Sequence, residues 1–384
     1  MSLPFVTLAS IDRELKVLDA TLRSQGITEC PRATLIVVSD FSILESLSRA
    51  NSVSDNEQIL VELVKLFVTI EPCRLFVLIP KARRLKSPEA VVAAESVQLA
   101  NGRVSSIEIV EIYYSTEEHG GGGIAQIVEA QAISGGRRRL LVWTSNINVS
   151  DVNRFYRLVD EVYFDSQRFP EGLKLTDRAI SKDRDIIDLQ WLQLAPLRHQ
   201  TRLAFSFPEN SRVLEQLERI EITIPDELEF AMGYLLAGWI LDKLDLQPRA
   251  IGFSGFECIH NKVSPHRYKL TNDPTILEIR KSGADSGEMS LGFFVDRPSV
   301  VASPTPFVFI KQSPHEDGTQ RDRIIRLETE VKGKSIPWSV DRFKEDSMTT
   351  LLRKYLVIGN SLASYRRAAQ LSLSLRQLNQ DFTG

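Results

Sequence analysis

Apolar positions along the first half of the chain follow two periods in turn. Ile11, Leu15, Leu18 and Leu22 recur at three- and four-residue steps, which predicts a helix with Ser10 placed to cap it and Gly26 beyond its end. Thr34 to Asp40 is then an unbroken aliphatic and β-branched run, the pattern of a strand covered on both faces and so expected to be parallel. Ser54-x-x-Glu57 has capping-box spacing and opens a helix with Ile59, Leu60, Leu63, Val64 and Phe67 on one side. A second buried strand, Leu75 to Ile79, completes a β-α-β unit whose crossover should be right-handed.

The alternation breaks between Val91 and Tyr114. Two strand-like runs flank Asn101-Gly102, a strong hairpin signal. A glycine tract, Gly120 to Gly123, leads into a helix around Ile124, Ile127 and Val128. Leu140 to Trp143 reads as another buried strand, Ser150 as the cap of a helix through Phe155 and Leu158, and Val162 to Ser166 as the next strand. This half predicts an α/β domain, mostly parallel sheet with helices on both faces and a β-hairpin insertion.

The second half changes character. Ile220 to Ile224 alternates as a strand with one wet face does, and a helix from Glu227 to Leu244 follows it. Runs at Ile276–Arg280, Met289–Val295, Pro306–Lys311 and Ile324–Val331 suggest an antiparallel sheet, and Asp341 to Gln380 reads as helical with a break at Gly359-Asn360. The expected division is residues 1–207, an α/β domain, and 208–384, an α+β domain of antiparallel sheet plus long helices. The stretch from Val162 to Phe207 is the seam between them.

Composition narrows the functional classes. At 384 residues, 43% hydrophobic and 25% charged with a net charge of −3, the chain has no overall positive field to recruit nucleic acid or an anionic membrane. Arg137-Arg138-Arg139 reads as a solvated loop. The stretch from Met1 to Ser10 lacks a basic start and a long apolar core, so no secretory leader is expected. The apolar helix around Leu235 to Leu241 is too short to span a bilayer. Three cysteines, Cys30, Cys73 and Cys258, make no metal-type spacing and point to a reducing cytoplasm.

Candidate chemistry is sparse. Gly120–Gly123 lacks both the GxGxxG spacing and a following Lys-Ser/Thr pair, so it is either a loop or an anion cradle. Gly252-Phe253-Ser254-Gly255-Phe256 has Phe where a nucleophile elbow needs its last glycine. His119, His199, His260, His266 and His315 are scattered. Asp183, Asp185 and Asp188 alternate with Lys182 and Arg184 as on a helix-entry face, and Cys30 with Cys73 could meet at one sheet edge. No catalytic, cofactor or metal constellation is expected from these residues.

Four spaced motifs do carry a resemblance. Glu71-Pro72-Cys73-Arg74 runs into Leu75 to Leu78, followed by Val162-x-Phe164-Asp165-Ser166-x-x-Phe169-Pro170. Asp188-Leu189-x-Trp191-x-x-Leu194-x-Pro196-x-Arg198 and Leu235-Leu236-Ala237-Gly238-Trp239-Ile240 complete the series. In this order they resemble the glucose-6-phosphate dehydrogenase assembly protein family, OpcA. The resemblance implies a non-catalytic cytoplasmic protein, without cofactor, that binds glucose-6-phosphate dehydrogenase and favours its active oligomer in the pentose phosphate pathway. Arg168, Phe169, Trp191 and Arg198 are the partner-binding candidates it implies. The alternative from the residues themselves is an α/β enzyme or binding protein that takes a sugar phosphate or nucleotide at Gly120–Gly123.

Overall fold

The computed structural model describes residues 4–24, 31–48, 54–81, 87–98, 104–115, 120–144, 147, 149–172, 185–207, 214–215, 217–225, 230–246, 248–249, 266–270, 273–282, 289–294, 308–314, 322–331, 334–344, 348–358 and 362–383. Two compact units emerge, Met1–Leu189 with Met348–Gly359, and Gln190–Ser347 with Asn360–Gly384. Cys30, Asn101-Gly102, His119, Asp183, Gly252–Phe256, Cys258, His260 and His315 lie outside the described residues.

The first unit carries β1 (Val6–Thr7), α1 (Ile11–Ser24), β2 (Ala33–Ser39), α2 (Ile43–Ser48), α3 (Asp55–Ile70), β3 (Cys73–Lys81), β4 (Glu89–Gln98) and β5 (Val104–Ser115). After these come α4 (Gly120–Gln131), β6 (Arg138–Trp143), α5 (Val149–Tyr156), β7 (Glu161–Phe164) and β8 (Asp185–Asp188). One eight-stranded sheet orders them β1-β4-β5-β3-β2-β6-β7-β8. Pairings among β5, β3, β2, β6, β7 and β8 are parallel, while β4 pairs antiparallel with β5 and with β1. The mostly parallel sheet with a hairpin insertion is therefore present as expected.

Register explains the two helical layers. Val37 is level with Leu141, and Leu141 with Tyr163, so these three share a face. Phe67 of α3 meets Tyr163 edge-on at 5.0 Å on that face. Thr34, of opposite parity, accepts the Ile133 N–H just beyond α4 at 2.9 Å, so α4 covers the other face. With both faces covered, all seven residues of β2 are buried. α3 starts at the predicted capping box, with Ser54 and Glu57 serving each other's backbone N–H.

Charges inside this sheet are matched strand to strand. Arg74 and Glu108 are in register across β3 and β5 and form an ion pair at 2.6 Å. Arg139 and Glu161 are in register across β6 and β7 and pair at 2.8 Å, with Glu71 adding a second carboxylate at 3.1 Å. This corrects the loop reading of Arg137–Arg139: Arg138 and Arg139 belong to a central strand, and Arg139 is 4% exposed.

The second unit holds α6 (Leu189–Gln193, from its second residue), α7 (Ala195–Ser206), β9 (Arg219–Ile224), α8 (Phe230–Leu244), β10 (Pro248–Arg249), β11 (His266–Leu270), β12 (Asp273–Lys281), β13 (Met289–Phe294), β14 (Val308–Pro314), β15 (Asp322–Val331) and β16 (Lys334–Lys344). Its sheet runs β10-β11-β12-β9-β13-β14-β15-β16 and is antiparallel apart from the β12–β9 pair. Two helices close the chain, α9 (Met348–Ile358) in the first unit and α10 (Leu362–Thr383) in the second. Asp341 to Lys344, expected to open the terminal helix, instead end β16. Likewise Asp185 and Asp188 sit in strand β8 rather than on a helix face.

α8 is apolar around its circumference because its neighbours surround it. A Cβ on Gly238 would stand 2.0 Å from the Ala368 carbonyl oxygen and 2.9 Å from the Ser372 nitrogen, so glycine lets α8 and α10 touch backbone to backbone. Gly238→Ala should cost about 1–3 kcal/mol or more, since backbone must move to admit the methyl. Gly123→Ala meets nothing within 4 Å. It should leave stability unchanged or raise it by about 0.5–1 kcal/mol through helix propensity. Urea unfolding of both variants checks the contrast, and equal losses would refute the packing account.

Candidate functional site

Parallel strands of the first unit run β5-β3-β2 in one direction from the centre and β6-β7-β8 in the other. In open α/β sheets the connections leave to opposite faces where the order reverses, and a crevice forms beyond the carboxyl ends of the two central strands. Here those strands are β2 and β6.

The residues at this place come straight from the strand ends. β2 ends at Ser39 and continues as Asp40-Phe41-Ser42, and β6 ends at Trp143 and continues as Thr144. Thr144, 1% exposed, donates its hydroxyl to the exposed carboxylate of Asp40 across the reversal. Trp143 is 3% exposed, and the Arg168 guanidinium lies 4.5 Å from its ring centroid. Arg168 reaches that position because the turn after β7 is wound around Asp165. The Asp165 carbonyl accepts the N–H groups of Arg168 and Phe169, and its carboxylate accepts that of Gln167. Arg168 also pairs with Asp165 at 3.3 Å and donates to Asn56, in the first turn of α3, at 2.5 Å. The last two residues around the end of β6 thus steady one carboxylate and one guanidinium.

This strand order is the one that binds dinucleotides, with the pyrophosphate lying on a glycine-rich first turn at a helix N-terminus. The residues present do not fit that group. Ser39 to Ser42 contain no glycine, and three N–H groups between Phe41 and Glu45 already have acceptors. Phe41 N–H donates to Ser39 Oγ at 3.2 Å, Glu45 N–H to Ser42 Oγ at 3.0 Å, and Leu44 N–H to the Glu111 carboxylate at 2.8 Å. A phosphate there would meet the fixed charges of Glu111 and Asp40.

The glycine tract forms the first turn of α4, beyond the carboxyl end of β5. Gly123 has open space where a side chain would stand, so no close approach demands glycine at that position. Among the described residues no group of three or more His, Cys, Asp or Glu could hold a metal ion, and no helix is long and apolar enough to cross a membrane.

Of the four residues singled out in the sequence, two lie in each unit. Arg168 borders the β6 end, while its neighbour Phe169 is 2% exposed and belongs to the core. Trp191 and Arg198 are brought together, the guanidinium 3.3 Å from the indole centroid, with Arg198 donating to the Trp191 carbonyl at 3.0 Å. Burial, then repulsion from Arg202, pulls the Arg198 pKa down from arginine's ordinary value. Asp165 takes Arg168, and Asp188 accepts the Ser166 N–H at 3.1 Å. Asp40, Thr144 and Glu111 were missed. Asp40 is signalled by its place directly after an apolar strand, and Glu111 by standing as a charge inside one.

No family model and no curated protein matches this chain. Several solved structures are similar to it at low identity. One is the dehydrogenase MviM from Clostridium difficile, 9% identical over 91% of this chain and 99% of that one, with a TM-score of 0.38. A protein from Klebsiella pneumoniae described as an oxidoreductase is 10% identical over 91% and 93%, with a TM-score of 0.44. Another so described, from Magnetospirillum magnetotacticum MS-1, is 10% identical over 66% and 82%, with a TM-score of 0.38. These findings correct the assembly-protein expectation: the structures this chain resembles are described as a dehydrogenase and oxidoreductases. Membership in the assembly family, the non-catalytic role and the partnership deduced from it are not carried forward. At such identities and TM-scores none of these structures assigns a role to a residue here.

Cys73 can be settled from its surroundings. It is 2% exposed in β3, and burial pushes its thiol from an ordinary 9.0 up to about 12. The thiolate is the reactive form, so burial and the raised pKa together make the Cys73 thiol unreactive at neutral pH in the folded protein. Maleimide at pH 8, read by peptide mass, should leave Cys73 unlabelled until denaturant is added. Because the folded pKa is the higher one, the stabilisation is complete below 9 and is lost as pH rises from there towards about 12. Rapid labelling of native Cys73 would refute its burial.

Proposed function

We propose that the first unit binds a small, oxygen-rich polar molecule at the carboxyl edge of its sheet, between the ends of β2 and β6. The observation that supports this is the pair of opposite charges held around the end of β6, Asp40 by Thr144 and Arg168 against Trp143. Asp40 is exposed at the strand-order reversal, where the ligands of such sheets lie. Its carboxylate is an acceptor for ligand hydroxyl or amide hydrogens. The Arg168 guanidinium is a fork of donors for ligand oxygens. A molecule with hydroxyls at one end and a carboxylate or carbonyl at the other satisfies both.

Sugars, sugar acids and hydroxy acids without phosphate form the panel that tests this, screened by thermal shift and titrated by calorimetry. A hit should raise the melting temperature, and Asp40→Asn or Arg168→Ala should each weaken it by about tenfold or more, the scale of losing one charged hydrogen bond. Circular dichroism should show both variants folded. The reading fails if no compound stabilises the protein, or if a bound compound is indifferent to both substitutions.

A further inference from the structure

We infer that Glu111 serves as a built-in anion for the β2–α2 turn, closing that turn to phosphate and setting this sheet apart from dinucleotide binders of the same strand order. Glu111 lies on β5, level with Val77 of β3, and reaches the turn from 67 to 69 residues away in sequence. Its carboxylate accepts from Ser42 Oγ at 2.7 Å, Leu44 N at 2.8 Å and the Tyr113 hydroxyl at 2.9 Å. It is 1% exposed. Among the described residues no Lys or Arg forms an ion pair with it; three oriented dipoles hold the charge instead. A carboxylate buried in this way is stabilised by the same kind of donors that would cradle a phosphate oxygen.

The arrangement locks the turn from both sides. Ser42 donates to Glu111 and in turn accepts from Glu45 N, so the hydroxyl relays the carboxylate to a second N–H group. Tyr113 is fixed as a neutral donor: burial first, then the Glu111 charge, raise its pKa. A second anion reaching for the Leu44 N–H or the Ser42 hydroxyl would have to displace a carboxylate anchored on a sheet strand. The inference stands independently of the Asp40–Arg168 reading, because it concerns stability and exclusion at the turn rather than a ligand elsewhere on that edge.

The test pairs exchange mapping with chemical rescue. In the wild type, millimolar NAD⁺, NADP⁺, ADP or pyrophosphate should leave amide exchange at Phe41 to Glu45 unchanged. Glu111→Ala should lower the folding constant about tenfold to a hundredfold, as expected for lost charge-assisted hydrogen bonds that strand their buried donors. Acetate, a free carboxylate, should restore part of that stability in Glu111→Ala and leave the wild type unmoved at matched ionic strength. If Glu111→Ala does not fold, Glu111→Gln keeps the shape, and its melting temperature should still fall. Protection of Phe41–Glu45 by any of the four phosphates in the wild type, or an unchanged stability of Glu111→Gln, would overturn the inference.

Discussion

A charge inside a sheet that helices cover on both faces needs an opposite charge or a set of oriented hydrogen-bond donors, and that constraint organises the first unit. Buried apolar strands supply the drive, at about 1.5–3 kcal/mol for each fully buried Val, Leu or Ile side chain. An isolated ion in the same place would cost several kcal/mol. The chain meets this by placing partners at equal register: Arg74 opposite Glu108, and Arg139 opposite Glu161. A slip of one residue in any of these pairings would turn a carboxylate and a guanidinium to opposite faces. The ion pairs therefore specify alignment as much as they add stability.

Much of the fold was legible in the sequence because its signals are local. The capping box at Ser54 and Glu57, the unbroken apolar run of β2 and the hairpin spacing of β4 and β5 each act over a few residues. What could not be read was long-range. Arg139 looks solvated in a run of three arginines, and only the neighbouring strand shows that it is buried against Glu71 and Glu161. Asp341 to Lys344 look like a polar helix start, yet pairing with β15 makes them strand. Asp40 and Thr144 are 104 residues apart, and no spacing rule joins them.

The strand order alone would suggest a dinucleotide site, and the side chains at the first turn argue otherwise. A phosphate cradle needs free N–H groups, room for oxygen and no competing negative charge. The β2–α2 turn has three N–H groups already committed, at Phe41, Leu44 and Glu45, and a resident carboxylate. Sheet topology fixes where a crevice forms, whereas the residues at the strand ends decide what can enter it. Here those residues offer one carboxylate and one guanidinium rather than a glycine-lined anion pocket.

The same distinction explains why the family resemblance misled. Its motif residues are ones that packing demands. Cys73 starts a buried strand, and the Asp165 carbonyl and carboxylate wind the turn after β7. Arg198 stacks on Trp191, and Gly238 lets two helix backbones meet. Each has a sufficient physical cause within its own unit, so text of this kind is expected wherever a chain solves the same packing problem. It carries information about architecture and very little about partners or chemistry. Asp40 and Arg168 differ in being charged groups held at the carboxyl edge of the sheet, the place where open sheets of this strand order take their ligands, and packing alone does not account for Asp40 there.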